Sequence, residues 1–216
     1  RRGVIVARCS WLAAAEGYKG QGMLDAPDGD EGAEVLLSGQ ALDGSDDTLT
    51  YEWDFGDGSD LVSGVDLTEI AHTYADNGLY TVTLTVSDED GASVSEGTDL
   101  TISNVAPVIA SLTGDLLLDE ASVGVWTAVA TDPGDDTLTY SWSLGDGAVP
   151  QDGVDLTEII TPYADDGIYT LTLTVSDEDG GTTDASLTVV VNAVAPVLDS
   201  LADLPVIDEG SPIALS

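Results

Sequence analysis

Hydrophobic and polar residues alternate one by one along several stretches of the chain. In residues 80–86 threonines separate Tyr, Val, Leu and Val, and the same pattern returns at 169–175 and in a related form at 49–55. A period of two is typical of half-buried antiparallel β-strands, and turn signals such as GDG and DNG lie between these stretches. The pattern predicts an all-β protein in which roughly seven short strands build each β-sandwich.

The chain of 216 residues repeats itself at an interval of 89 residues. TLTYEWDFGDG at 48–58 returns as TLTYSWSLGDG at 137–147, and YADNGLYTVTLTVSDEDG at 74–91 returns as YADDGIYTLTLTVSDEDG at 163–180. Such an interval is the mark of tandem structural units. We predict four parts: a divergent N-terminal segment with a docked strand near 3–8 (1–29), a first sandwich (30–105), a second sandwich (106–194) and the opening strands of an incomplete third repeat (195–216).

Several strings carry a family resemblance. WDFGDG at 53–58, HTY at 72–74 and the connector NVAPV at 104–108 resemble the polycystic kidney disease (PKD) repeat, an immunoglobulin-like sandwich. The resemblance implies non-catalytic modules of an extracellular or cell-surface protein. The second unit departs from the pattern because Ser143 stands at the position of Asp54 and Thr161 at that of His72. We therefore interpret His72 as a structural residue rather than a ligand or base.

Acidic residues dominate the charge. The sequence has 41 Asp and Glu against 4 Lys and Arg, a formal net charge of −37, and residues 20–216 contain no Lys or Arg. Phosphate binding requires basic side chains, so nucleic acid is excluded as a partner and an anionic membrane surface is disfavoured. No apolar stretch reaches the length of a membrane span. The single cysteine, Cys9, excludes an internal disulfide.

The acids concentrate in the loops that an immunoglobulin-like fold places at one end of each sandwich. Carboxylates near contact repel one another by roughly 1–4 kcal/mol for each pair. Calcium removes this repulsion best, because it accepts oxygens from irregular loops, whereas zinc prefers His and Cys. We predict calcium sites in the first sandwich at Asp43, Asp46, Asp47, Asp88 and Asp90, and in the second at Asn104, Asp132, Asp135, Asp136, Asp177 and Asp179.

A second interpretation of the acids stays open beside calcium. A lysine-free acidic surface also keeps halophilic proteins soluble, and on that view the carboxylates form a solvated coat. The chain shows no nucleophile with a supporting base, and exposed turn acids lack the burial that catalysis needs. We therefore predict that the protein is not an enzyme.

The leading functional prediction is a calcium-stabilised stalk, adhesin segment or filament subunit. The alternative is an accessory module that presents a secreted hydrolase to a polysaccharide, protein or cell-surface ligand. We also predict that residues 196–216 of one chain pair with the first sandwich of the next by strand addition. Such a head-to-tail contact does not close and generates a filament. The competing interpretation is a slice of a longer repeat array.

Overall fold

The computed structural model describes residues 23–42 and 47–197. In this part of the chain sixteen β-strands form four sheets, which pack as two sandwiches in tandem. The prediction of an all-β chain with two immunoglobulin-like sandwiches is confirmed. The predicted strand near residues 3–8 and the tail at 198–216 lie outside the described residues.

Sandwich one contains the first eight strands, which are β1 (Met23–Asp25), β2 (Gly29–Asp30), β3 (Glu34–Gln40), β4 (Thr50–Asp54), β5 (Val62–Val65), β6 (Glu69–Thr73), β7 (Gly78–Ser87) and β8 (Ser93–Ser103). The smaller sheet has the order β1-β3-β6, and the larger sheet has the order β2-β8-β7-β4-β5. Only β2 runs parallel to its neighbour, β8. This pairing brings the residue after β2 beside the end of β8.

Sandwich two contains the next eight strands, which are β9 (Val108–Gly114), β10 (Leu117–Asp119), β11 (Val123–Thr131), β12 (Thr139–Ser143), β13 (Gln151–Val154), β14 (Glu158–Pro162), β15 (Gly167–Ser176) and β16 (Thr182–Asn192). Its sheets have the orders β9-β11-β14 and β10-β16-β15-β12-β13. The arrangement therefore repeats that of sandwich one strand by strand.

The predicted alternation fixes which side chains enter each core. Trp53, Val82 and Leu84 are at most 1% exposed in sandwich one, and Trp142 and Leu173 are at most 1% exposed in sandwich two. Threonines between them point outward, where β-branched side chains suit a strand surface. The inward faces of both sheets thus form one apolar core in each sandwich.

A tyrosine corner holds the turn before the longest hairpin of each sandwich. The Tyr80 hydroxyl donates a 2.8 Å hydrogen bond to the carbonyl of Asp76, and the Tyr169 hydroxyl donates a 3.1 Å bond to that of Asp165. This contact is typical of immunoglobulin-like sandwiches and fixes the turns that carry Asp76 and Asp165.

The start of sandwich one differs from the predicted boundary at residue 30. Met23–Asp25 pairs with β3, and Leu24 is 1% exposed in the core. Residues 18–29 share no sequence with the opening strand of sandwich two, so the sequence did not predict the strand Met23–Asp25. One buried leucine, Leu24, fills the core position of this strand. The structure therefore places Met23–Asp30 within sandwich one.

In the described parts of the chain, no helix is long and apolar enough to cross a membrane.

Candidate cation site at the junction of the sandwiches

Three of the predicted ligands of sandwich two meet at the end that faces sandwich one. Asp132, Asp136 and Asp177 each place one carboxylate oxygen within 4.8 Å of the others. Asn104, in the connector, joins them because its side-chain amide donates a 3.1 Å hydrogen bond to Oδ2 of Asp177. The loops that follow β11 and β15 therefore converge as the immunoglobulin-like topology predicts.

Backbone hydrogen bonds orient two of these carboxylates. Oδ1 of Asp132 accepts a 2.8 Å bond from the amide of Gly134. Oδ1 of Asp177 accepts bonds from the amides of Asp179, at 3.0 Å, and Gly181, at 2.7 Å. Each loop thus occupies Oδ1 of its aspartate, whereas Oδ2 of Asp177 accepts from Asn104 and Oδ2 of Asp132 is buried without a partner.

Sandwich one completes the cluster with two residues that sequence reasoning missed. Glu31 is 1% exposed, and its Oε1 accepts a 2.6 Å hydrogen bond from the amide of Val105. Glu31 and Asp76 each place an oxygen within 4.8 Å of Asp136 and of each other. Asp136 therefore belongs to two overlapping groups of acids, one in sandwich two and one shared between the sandwiches.

The two sandwiches are in direct contact around these acids. The amide of Asp135 donates a 2.7 Å hydrogen bond to the carbonyl of Ala75 in sandwich one. Gly181 lies against Ala106 of the connector. Glu31 and Asp177 are buried around this contact between the domains, Asp132 and Asp136 are half-buried, and Asp76 is exposed.

Five side-chain oxygens at the junction are buried without a hydrogen-bond partner. They are Oε2 of Glu31, Oδ1 of Asn104, Oδ2 of Asp132 and both carboxylate oxygens of Asp136. In the described residues these are all of the buried side-chain polar atoms in that condition. Native proteins pair nearly all such atoms, and leaving one unpaired costs roughly 1–3 kcal/mol. Five at one place form a set of acceptors that a cation would satisfy.

The raised pKa values of two of these acids also show that negative charge at the junction is not balanced within the protein. Burial and the nearby Glu31, Asp132, Asp179 and Asp177 carboxylates raise the pKa of Asp136 to about 6. Burial, with repulsion from Asp132, also raises the pKa of Glu31. Because residues 20–216 contain no Lys or Arg, neither sandwich has a permanently charged basic side chain to neutralise them.

The donor set consists of carboxylate and amide oxygens alone. Calcium takes about six to eight oxygens at 2.3–2.6 Å in irregular geometry, so two of its ligands lie roughly 5 Å apart or less. The separations within both groups of acids fit this limit. Zinc is a poor match because the described residues of the junction include neither His nor Cys. The residues present therefore fit calcium.

Other predicted ligands take different positions. The side chains of Asp135 and Asp179 are exposed, so both residues contribute their backbone amides, and Asp179 adds its charge. In sandwich one, Oδ1 of Asp88 accepts a 2.8 Å bond from the amide of Ala92, and Asp90 is exposed. Asp47 joins neither of these in a group of potential metal ligands among the described residues. Asp43 and Asp46 lie outside that part of the chain.

The far end of sandwich two carries a related but open group. Glu120, Asp165 and Asp166 each place an oxygen within 4.8 Å of the others. Glu120 and Asp165 are the counterparts of Glu31 and Asp76, but both aspartates of this group are exposed. Exposed acidic groups of this kind are common in proteins without a bound ion.

The aromatic candidates are structural. Trp53, Trp126 and Trp142 are each at most 1% exposed, and their indole N–H groups donate to backbone carbonyls at 2.9–3.0 Å. His72 stacks on Phe55 with ring centroids 3.8 Å apart, and its Nε2 lies 2.6 Å from Oδ2 of Asp57. The interpretation of His72 as a packed residue agrees with these contacts.

Comparison with known families assigns both sandwiches. The PKD domain family matches residues 24–102 and 104–192, which together make up most of the chain. The chain belongs to the PKD domain family. PKD domains are typically non-catalytic modules of extracellular proteins. The two matched segments end and begin at the connector, so the candidate cation site lies between two PKD domains.

Solved PKD domains with related folds come from diverse organisms. One from an M14-like peptidase of a Thermoplasmatales archaeon is 21% identical, with a TM-score of 0.36, over 42% of this chain and 99% of that one. The first PKD domain of Vibrio anguillarum Epp is 26% identical, with a TM-score of 0.33, over 43% and 100%. That of the human VPS10 domain-containing receptor SorCS2 is 20% identical, with a TM-score of 0.33, over 48% and 90%.

Proposed function

We propose that this chain is a segment of an extracellular stalk in which calcium fixes the relative orientation of neighbouring PKD domains. One observation carries the proposal: the five buried oxygens without hydrogen-bond partners lie where sandwich one, the connector and sandwich two meet. Glu31 and Asp76 would bind from sandwich one, Asn104 from the connector, and Asp132, Asp136 and Asp177 from sandwich two.

At the junction of the sandwiches, the burial of the carboxylates favours bound calcium over a coat of solvated acids. A coat works because water surrounds each carboxylate, but Glu31 is 1% exposed and Asp177 is 7% exposed. Taking a charge out of water without a partner is costly, so a buried carboxylate needs a cation or a proton. The exposed acids elsewhere on the sandwiches remain compatible with a halophilic surface.

The distribution of the ligands supports a spacer. Because both sandwiches and the connector would supply oxygens to one site, bending the junction would require loss of calcium ligands. The connector itself is short, and Pro107 in it is buried and limits backbone freedom. The buried tryptophans also favour a spacer over an accessory module that binds polysaccharide, because sugar stacking uses exposed aromatic rings.

Calorimetry and thermal unfolding of the intact chain test the proposal. In millimolar calcium the melting temperature should rise relative to chelator at equal ionic strength. Ligand at a hundredfold excess over its dissociation constant adds about 2.7 kcal/mol to the free energy of unfolding. Asp136→Asn should abolish most of this response, whereas Asp152→Asn, which removes an equal charge from the exposed strand β13, should retain it.

Two results would contradict the proposal. Identical unfolding in calcium and in chelator would show that the buried acids bind no calcium. An equal stabilisation by sodium chloride alone, with no heat of calcium binding, would assign the acids to the solvated coat instead.

A further inference from the structure

Two glycines allow the sandwiches to approach each other, and they lie on opposite sides of the junction. Gly32 follows Glu31 in the turn before β3, and its amide donates a 2.9 Å hydrogen bond to the carbonyl of Tyr74. A Cβ atom at this position would lie 2.8 Å from the Cβ of Pro133 and closer still to the Pro133 carbonyl oxygen. Real Cβ atoms essentially never approach other atoms within 3.0 Å, so a side chain here would push the sandwiches apart.

Gly134 has the reciprocal role in sandwich two. A Cβ atom at this position would lie 2.9 Å from Cδ and 3.0 Å from Oε2 of Glu31. The displaced group would thus be the buried carboxylate of the candidate cation site. Gly134 has no left-handed backbone conformation to explain its presence. The requirement at this position is for space between the sandwiches.

The repeat shows that these glycines are not part of the general domain pattern. Ala121 occupies the position 89 residues after Gly32, with a φ of 62° against 64°. Its amide donates a 2.8 Å bond to the carbonyl of Tyr163, as Gly32 does to Tyr74. The turn itself therefore accepts alanine. In the sequence, Ser45 stands 89 residues before Gly134.

We propose that Gly32 and Gly134 are positioning residues that make domain docking selective. The end of sandwich one accepts the loop at 131–136 in close contact because neither side carries a Cβ there. The end of sandwich two bears the Ala121 methyl group and cannot accept an equivalent loop at the same distance. The sequence thus specifies which domain ends dock closely. The inference rests on the proposed calcium function only in that the docked contact brings Glu31 to Asp136.

Hydrogen exchange at one amide reports this contact directly. The amide of Asp135 is bonded to the carbonyl of Ala75 in the other sandwich, so its protection from exchange measures docking. Gly32→Ala and Gly134→Ser, which introduce the residues found at the equivalent positions, should each lower that protection roughly tenfold or more, as expected when a side chain enters a packed contact. Amides of β7 and β15 should keep their protection.

Gly58→Ala is the matched control. Gly58 has a φ of 83°, and a Cβ there would have no atom within 4 Å. This variant imposes the backbone strain of a left-handed alanine without a contact between domains. It should leave the Asp135 amide protected.

Measuring the protection of the Asp135 amide in calcium and in chelator distinguishes failure of the docking proposal from failure of the calcium proposal. Unchanged Asp135 protection in Gly32→Ala and Gly134→Ser, in calcium, would overturn the selectivity of docking even if calcium binds. A wild-type chain whose protection and stability ignore calcium, but whose glycine variants lose the contact, would refute the calcium site and retain the docking proposal. Equal loss in Gly58→Ala would attribute the effect to backbone strain and overturn the inference.

Discussion

Glu31 in sandwich one and Glu120 in sandwich two occupy equivalent positions, 89 residues apart, at the same end of their domains. Each accepts a hydrogen bond from the backbone of the following connector, from Val105 at 2.6 Å and from Val194 at 2.7 Å. Only Glu31 is buried, at 1% exposure, and only Glu31 retains a buried oxygen without a partner. The difference arises from the loop at 131–136, which covers Glu31.

This comparison shows that the candidate site is assembled from the ends of two neighbouring domains. One repeat supplies a glutamate and an aspartate at one end and several aspartates at the other, and neither set is enclosed by its own domain. Contact between two domains brings the sets together and removes water from them. A single isolated domain should therefore bind calcium weakly, as exposed acidic loops do.

The largest effect is expected from replacing Glu31, the buried glutamate of the pair. Glu31→Gln should lower calcium affinity by roughly tenfold to a hundredfold, as loss of groups that hold a metal does. In chelator the same variant should raise the free energy of unfolding, because a buried charge that faces Asp132 and Asp76 is removed. Calorimetry and urea unfolding measure the two effects.

Glu120→Gln is the counterpart in the open end. Glu120 is half-buried, and a glutamine oxygen can still accept the bond from the Val194 amide. We therefore expect a stability change of about 0.5 kcal/mol or less and an unchanged calcium affinity at the junction. Equal effects of Glu31→Gln and Glu120→Gln would show that burial by the neighbouring domain does not distinguish the two ends.

The pH dependence of stability should also differ with and without calcium. The pKa of Asp136 rises from 3.8 to about 6 in the folded chain. Between about pH 4 and pH 6 the folded state therefore holds more protons at this group than the unfolded state, so in chelator its contribution makes stability fall as pH rises. In calcium the ionised form is bound, and stability should rise over the same window.

Urea unfolding across this window, compared between wild type and Asp136→Asn, isolates the contribution. Other acids of the chain titrate in both proteins, so the difference between them reports Asp136. A difference that does not vary with pH in chelator would mean that Asp136 is not perturbed by its surroundings.

The sequence was sufficient for the fold and for four of the six residues of the candidate site. Alternation at a period of two identified the core residues, and loop topology brought Asp132, Asp136 and Asp177 together with Asn104. Glu31 was not predicted because the acidic cluster was assigned to the loops of sandwich two and the connector, whereas Glu31 belongs to sandwich one. The Asp-Glu pair that recurs at intervals of 89 residues was the available signal.

Other features of the site and of the fold can be recognised only in the three-dimensional structure. Which aspartates of an acidic loop face inward depends on local hydrogen bonds, and these turned Asp132 and Asp177 inward while Asp135 and Asp179 stayed exposed. The opening strand of sandwich one was hidden because Leu24 alone fills its core position. A residue that fills a core position without repeating the pattern of the equivalent strand is difficult to recognise in a sequence.

A smaller effect is expected at the connector. Asn104 donates to Asp177 and has a buried Oδ1 without a partner, whereas Ala193 stands 89 residues later. Asn104→Ala should lower calcium affinity by roughly tenfold, a loss comparable to that of a hydrogen bond to a charged group. Calorimetry measures it, with Asn192→Ala as the control at the open end. Unchanged affinity would remove Asn104 from the proposed ligands.

The smallest effect should come from a pair that only sandwich one contains. His72 stacks on Phe55 and meets Asp57, with side chains 17% and 18% exposed. Ring stacking is worth roughly 0.5–1.5 kcal/mol and a partly exposed ion pair about 1 kcal/mol or less. His72→Thr, which copies Thr161, should therefore lower the stability of sandwich one by about 1 kcal/mol. Exchange of β7 amides measures this loss, and β15 amides in the same chain serve as the reference.

The reverse substitution and pH sharpen this last comparison. Thr161→His should add little, because Leu144 stands where sandwich one has Phe55 and offers no ring to stack on. Although burial opposes ionisation, hydrogen bonds from Ser59 and His72 hold the pKa of Asp57 below its ordinary value. A lowered carboxyl pKa stabilises the fold above the unfolded value and is lost as pH falls. The cost of His72→Thr should thus shrink below about pH 4, and a cost that is constant with pH would assign the contact to stacking alone.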